Sequence, residues 1–233
     1  MRKQMRKKHS FNRNGLLAVA FVLLFSVALS ACSASNKLVL SDDGKYVDKK
    51  TDIAYLDAPA CYEPIAMGEE LYGKIGSAEI YEVVGADPEK WLCEATGSVF
   101  YAEDIELPAL NKMNITYALA IMEDVELSRI TDGATLSEII SVYCSGEDIR
   151  KPTYFEDTLS VSWKIKLADE ELGLYYVLNY IELKEDYVVT NDDGTQINYG
   201  RAFIFNRYEG RCVAATGVLS AYVDEYNALN EAK

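Results

Sequence analysis

Histidine is almost missing from this chain: of 233 residues only His9 carries an imidazole. After residue 9 the sequence therefore has no means to build a Ser-His-Asp or Cys-His arrangement, a zinc site with His ligands, an H-E-x-x-H helix or a His-ligated haem. A Ser-x-x-Lys motif, a P-loop and a Gly-x-Gly-x-x-Gly turn are also missing. No Cys-x-x-Cys pair occurs, which argues against thioredoxin-like or thiolate-metal roles. The sequence thus calls for no metal and no cofactor. Carboxylate-pair chemistry stays open, because 37 Asp and Glu side chains are present, but their number alone singles out no pair.

Acidic residues are missing from the start of the chain. The first is Asp42, whereas six of the 23 basic residues (Arg2, Lys3, Arg6, Lys7, Lys8 and Arg13) lie within the first 13 positions. An almost unbroken apolar run from Leu16 to Leu29 follows, closed by Leu29-Ser30-Ala31-Cys32. A basic stretch, an apolar stretch and a small-residue end are the marks of an export signal; the longer stretch from Gly15 to Ala31 approaches the lower length limit for a membrane-spanning helix, the competing reading.

The Leu-Ser-Ala-Cys tetrapeptide resembles the bacterial lipoprotein signal, in which an apolar residue and two small ones precede a cysteine that receives a diacylglyceryl group. The resemblance covers residues 1–32. It implies cleavage after Ala31, lipid attachment at Cys32, and a protein held at the cell membrane facing outside the cytoplasm. Two acyl chains suffice for stable anchoring where one is marginal. The expected organisation is a signal peptide at 1–31, the lipidated cysteine with a short tether at 32–36, and a domain over 37–233. With so few tether residues, the domain would stay within roughly 10 to 20 Å of the bilayer.

Removal of residues 1–31 leaves 17 basic against 37 acidic groups, a formal charge of −20. Such a domain is repelled by an anionic lipid surface within a Debye length. It also lacks the clustered Lys and Arg that nucleic-acid binding requires, so no nucleic-acid partner is expected.

Four cysteines remain beyond Cys32: Cys61, Cys93, Cys144 and Cys212. An even number in an exported chain permits disulfides, with three connectivities. Their contexts, Cys93 after Trp91-Leu92 and Cys212 before Val213, equally suit small buried hydrophobes.

Alternating patterns dominate the body of the chain and predict an α+β domain, a mainly antiparallel sheet with two amphipathic helices in the C-terminal half. Residues 45–48 and 51–56 suggest a hairpin. The stretch through Pro59, Pro64, Gly68, Gly73 and Gly76 reads as loop, and Asp87-Pro88 as the start of a short helix over 88–93. Met113, Ile115, Tyr117, Leu119 and Ile121 share one strand parity, predicting a buried face opposite a mild one bearing Ala118 and Ala120. Thr135-Leu136-Ser137-Glu138 fits a capping box for a helix ending at Gly146. Val161, Trp163, Ile165 and Leu167 mark a half-buried strand with Lys164 and Lys166 on its solvated face. Residues 172–183, apolar on both parities, read as a central strand, and 202–206 with 211–215 as a hairpin. Asn191-Asp192-Asp193-Gly194 reads as a turn without calcium-loop spacing, and 218–229 as a terminal helix. Whether residues 37–110 form a second lobe is left open, since no linker composition divides the chain.

Three surfaces are candidates for contact. All 17 tyrosines lie at or beyond Tyr46, though most lie where half-burial in strands accounts for them. Arg201 and Arg207 share parity with Phe203 and Phe205, and Arg211 follows across the turn, a local basic group that suits an anion or simply pairs with surplus acids. Trp91 and Trp163 suit sugar stacking, but Trp163 falls on the apolar parity of its strand and reads as core. The expected function is ligand or partner binding at the outer membrane face without catalysis. The alternatives are a carboxylate-dependent glycan hydrolase, with two acids across a cleft at about 5 to 9 Å, and a surface assembly protein with an exposed apolar patch.

Overall fold

The computed structural model of the chain describes residues 36–231. The expected export segment at 1–31, Cys32 and the start of the expected tether lie outside the described residues.

Short alternating runs build the first layer. Strands β1 (Asn36–Leu40), β2 (Tyr46–Asp48) and β3 (Ala54–Asp57) form a meander, with Tyr46 opposite Tyr55 across the β2–β3 hairpin. The chain then makes β4 (Tyr62–Pro64), which pairs elsewhere, and returns through β5 (Met67–Ile75), β6 (Ala78–Val83), β7 (Trp91–Glu94) and β8 (Val99–Ala102). The strands join in the order β1-β2-β3-β8-β7-β6-β5 and close into a barrel through a parallel β1–β5 contact, Asn36 opposite Gly73. Closure removes the open edges that a sheet of such short strands would expose. Leu38, Tyr55, Ile80, Leu92 and Phe100 fill the interior. Asp48 is fully buried among them, and its carboxylate accepts from the Tyr72 hydroxyl at 2.7 Å and the Lys50 amide at 2.8 Å.

Two expectations are corrected in this layer. Residues 67–75 are a nine-residue strand, not loop. The glycines that suggested a loop lie in a strand whose pairing with β6 shifts register twice, and at Gly68 an added Cβ would come within 3.3 Å of the Glu82 carbonyl. Residues 88–93 are not a helix: Lys90 and Trp91 donate to the Asp87 carbonyl in a single turn, and β7 begins at Trp91. The apolar Trp91-Leu92-Cys93 run, buried throughout, outweighs the proline start signal.

The second layer is an antiparallel sheet. It comprises β9 (Tyr117–Met122), β10 (Val125–Ile130), β11 (Leu159–Asp169), β12 (Leu174–Leu183), β15 (Ala202–Phe205) and β16 (Cys212–Ala214), ordered β10-β9-β11-β12-β15-β16. β4 pairs with the first half of β12 beside β15. Between the last two pairs lies a separate hairpin, β13 (Val188–Thr190) and β14 (Gln196–Asn198), turned by Asn191–Gly194 as expected. Helix α1 (Gly133–Ser145) follows β10, and helix α2 (Ser220–Glu231) follows β16. The chain is therefore α+β and mainly antiparallel.

β12 is buried on both faces and pairs along its whole length with β11, as a central strand should. One face meets α1 and the barrel strands in the main core, with Ile165, Leu167, Leu178, Ile204 and Leu136 among its members. The expected parity of β9 is reversed with respect to this core. Ala118 and Ala120, on the side expected to be mild, face it, while Tyr117 and Leu119 pack on the opposite face of the sheet. Small side chains at β9 leave room for the bulk of Ile139 and Tyr143 from α1. The α1 cap also shifts: Asp132, not Thr135, is the N-cap, and its carboxylate accepts from the Thr135 amide at 2.8 Å.

The β11–β12 turn touches the barrel. Asp169, buried, accepts amide bonds from Asn114, Glu171 and Leu172 and so shapes the turn. Gly173 sits at φ +68°, where a Cβ would approach the Val84 carbonyl to 2.6 Å, so this close contact requires glycine.

Candidate functional site

On β11, alternate residues Val161, Trp163, Ile165 and Leu167 face the core, as their spacing predicts. Trp163 lies toward the end of that face, where α2 rather than α1 covers the sheet. Its ring lies tilted on Tyr180, centroids 5.8 Å apart, and meets Tyr226 of α2 edge to face at 5.7 Å. Burial pushes the Tyr180 phenol well above its ordinary range, so this neighbour of Trp163 stays neutral.

Trp163 is 3% exposed, and its Nε1–H has no hydrogen-bond partner. Among the described residues it is the buried side-chain donor that goes unmatched. An unsatisfied buried donor costs about 1 to 3 kcal/mol, so it calls for a physical reason.

Beside this ring lies a cleft of about 280 Å³. Met122 and Leu127, flanking the β9–β10 turn, form one wall, and Tyr222, Tyr226 and Leu229 of α2 the other. Helical spacing explains the second wall: Leu219 and Val223 are buried beneath α2, which turns Tyr222 and Tyr226 toward the sheet edge. The Tyr226 hydroxyl donates to the Met122 thioether at 3.4 Å, a weak acceptor. Ser128 and Glu225 are the polar members of the lining. Trp163 and Met122 also border a second, more polar hollow of about 560 Å³ that includes Lys164, Glu123 and Asp124. The turn between the two cleft strands is tight, with Glu123 and Asp124 both at positive φ.

A third hollow, about 530 Å³, lies on the barrel and is lined by Asp52, Asp87, Glu89, Glu103 and Asp104 with Lys90. Two of these acids are engaged: Glu103 pairs with Lys45 at 2.6 Å, and Asp87 accepts the Glu89 amide and pairs with Lys90 at 3.5 Å. Among the described residues no group of three His, Cys, Asp or Glu side chains is placed to hold a metal ion.

The three arginines grouped by the sequence go to separate places. Arg201 pairs with Glu182 at 3.5 Å, and Arg207 is exposed on the β15–β16 turn. Arg211 donates through Nε to the Tyr143 carbonyl at 2.7 Å and through Nη2 to the Gly146 carbonyl at 2.6 Å, closing the end of α1. Lys164 and Lys166 both reach Glu63 of β4, so the basic side of β11 is paired. Cys61, Cys93 and Cys212 are buried free thiols and Cys144 is half-buried and free. Burial pushes Cys93 and Cys212 up to about 11. Trp91 is buried in the main core.

The cleft was only half legible. The parity of β11 places Trp163 inside, but its unpartnered N–H depends on α2, β9 and β10 meeting there. The Tyr222 and Tyr226 pair, one helical turn apart in a terminal helix, was the available signal.

The chain matches no family model, no curated protein and no solved structure.

Proposed function

We propose that this chain is an exported bacterial lipoprotein, anchored at Cys32, that binds a ligand or partner at the outer face of the cell membrane without turning it over. The observation that carries this reading is the Leu29-Ser30-Ala31-Cys32 end of a basic and apolar leader. Among the described residues no helix is long and apolar enough to cross a membrane, and the attachment proposed here lies before them. The two helices serve in this reading as amphipathic covers of one sheet face, α2 contributing the wall of the aromatic cleft. That cleft, concave, mostly apolar and holding one unused donor, supports a binding role.

The test is Cys32→Ala in the full chain, followed by fractionation of cells. The substituted protein is expected to leave the membrane fraction or to keep its leader; unchanged processing and membrane association refute the anchor. The non-catalytic half is overturned separately, by turnover of a cell-wall polysaccharide that a single substitution of Asp52, Glu89 or Asp104 in the acidic hollow abolishes.

A further inference from the structure

We infer that the cleft beside Trp163 binds a small, largely apolar molecule that carries a hydrogen-bond acceptor and no negative charge, and that this acceptor takes the Trp163 Nε1–H. The inference rests on the binding role proposed above and names the class of ligand.

Four observations converge on that class. The walls are Met122, Leu127, Leu229 and two tyrosine rings, which favour an apolar body. The volume of about 280 Å³ holds on the order of ten non-hydrogen atoms, taking about 30 Å³ for each water-sized group. The buried Trp163 donor lacks a partner, and an indole N–H can only donate, so the ligand must supply an acceptor. The ionisable acid in the lining is Glu225, and the domain carries a large negative excess, so an anionic ligand is disfavoured.

Nε1 is shielded from solvent, with Tyr226 packed edge to face against the ring. A ligand oxygen reaches it only when a covering side chain moves, and Tyr226 is the cleft-lining residue in ring contact with Trp163. That movement breaks the weak bond to the Met122 sulfur and the edge-to-face contact with Trp163, and gives up part of the packing of Tyr226 against the main core.

The protein has two tryptophans, so its NMR spectrum carries two indole N–H signals, and Trp163→Phe identifies the one that belongs to Trp163. The processed full-length protein, in detergent micelles, is titrated with para-methylacetophenone, with its hydrocarbon counterpart para-ethyltoluene, and with the anion para-toluate, against free concentrations fixed by dialysis. The ketone is expected to move the Trp163 signal downfield and to bind about tenfold more tightly than either relative, the equivalent of about 1.4 kcal/mol. In the Trp163→Phe protein the ketone should fall to the level of the hydrocarbon, whose own affinity changes less than about threefold, within about 0.7 kcal/mol. Equal binding of ketone and hydrocarbon, preference for para-toluate, or an indole signal that does not move overturns the inference. An unmoved signal would leave the N–H directed at the Tyr226 ring as its resting contact. Failure here with Cys32 lipidated leaves the anchored location standing; failure at Cys32 with a ketone-specific shift leaves the site standing.

Discussion

Glu209 lies on an exposed turn, yet both of its carboxylate oxygens are taken from below, one by the Tyr143 hydroxyl of α1 and the other by the Tyr176 hydroxyl of β12. Asn206 completes the cluster, its amide donating to the Tyr176 oxygen at 3.1 Å while its carbonyl accepts the Tyr208 amide. Burial first, then the bond to Glu209, hold both phenols well above their ordinary titration range. Burial does the same for Tyr55 and Tyr62. A phenol whose native value is raised keeps its proton after the unfolded chain has lost it, near pH 10. Above that pH the native state binds more protons than the unfolded one, so stability must fall as pH rises; below it these groups contribute in full. The denaturant midpoint is therefore expected to be insensitive to tyrosine titration between pH 7 and 9 and to drop steeply above about pH 10. The phenolate absorbance of Tyr55, Tyr62, Tyr143 and Tyr176 should appear together with loss of structure. Phenolates at these four positions in a still-folded protein would contradict the packing described.

At the scale of elements, Arg211 shows why closeness in sequence to Arg201 and Arg207 was a poor guide to shared purpose. Its guanidinium bonds carbonyls at the end of α1, groups that the helix itself leaves unpaired. Arg211→Ala should destabilise the fold by about 2 to 3 kcal/mol, the loss of charge-assisted bonds to partners left unsatisfied. Arg207→Ala, on the exposed turn, should change stability by less than about 0.5 kcal/mol. Equilibrium denaturation of the two variants side by side checks the contrast, and equal effects would contradict it. The hairpins at 45–57 and 202–215 and the central strand were legible, because alternation and turn residues agree there. The strand at 67–75 was not, since its glycines serve register shifts that only the partner strand reveals. The β9–β10 hairpin was missed for the opposite reason: its turn uses Glu123 and Asp124 at positive φ, where Asn and Gly are the usual signal.

For the whole molecule, the least legible feature was long-range closure. Barrel formation depends on residues 36–37 meeting 73–74, and the crossing of β4 to β12 joins residues more than a hundred positions apart. No local pattern encodes either. The cleft at Trp163 has the same character, being assembled from residues 122–128, 163 and 222–229. What local sequence does carry contiguously is the proposed leader, with its basic, apolar and small residues in succession. The central claim, that this domain is tethered at the membrane by a lipidated cysteine, is tested most directly by intact-mass and N-terminal peptide spectrometry of the protein recovered from its native membrane. The account predicts a mature chain that begins at Cys32 and carries a diacylglyceryl group on its sulfur. A chain that begins elsewhere, or at Cys32 with an unmodified thiol, would contradict it.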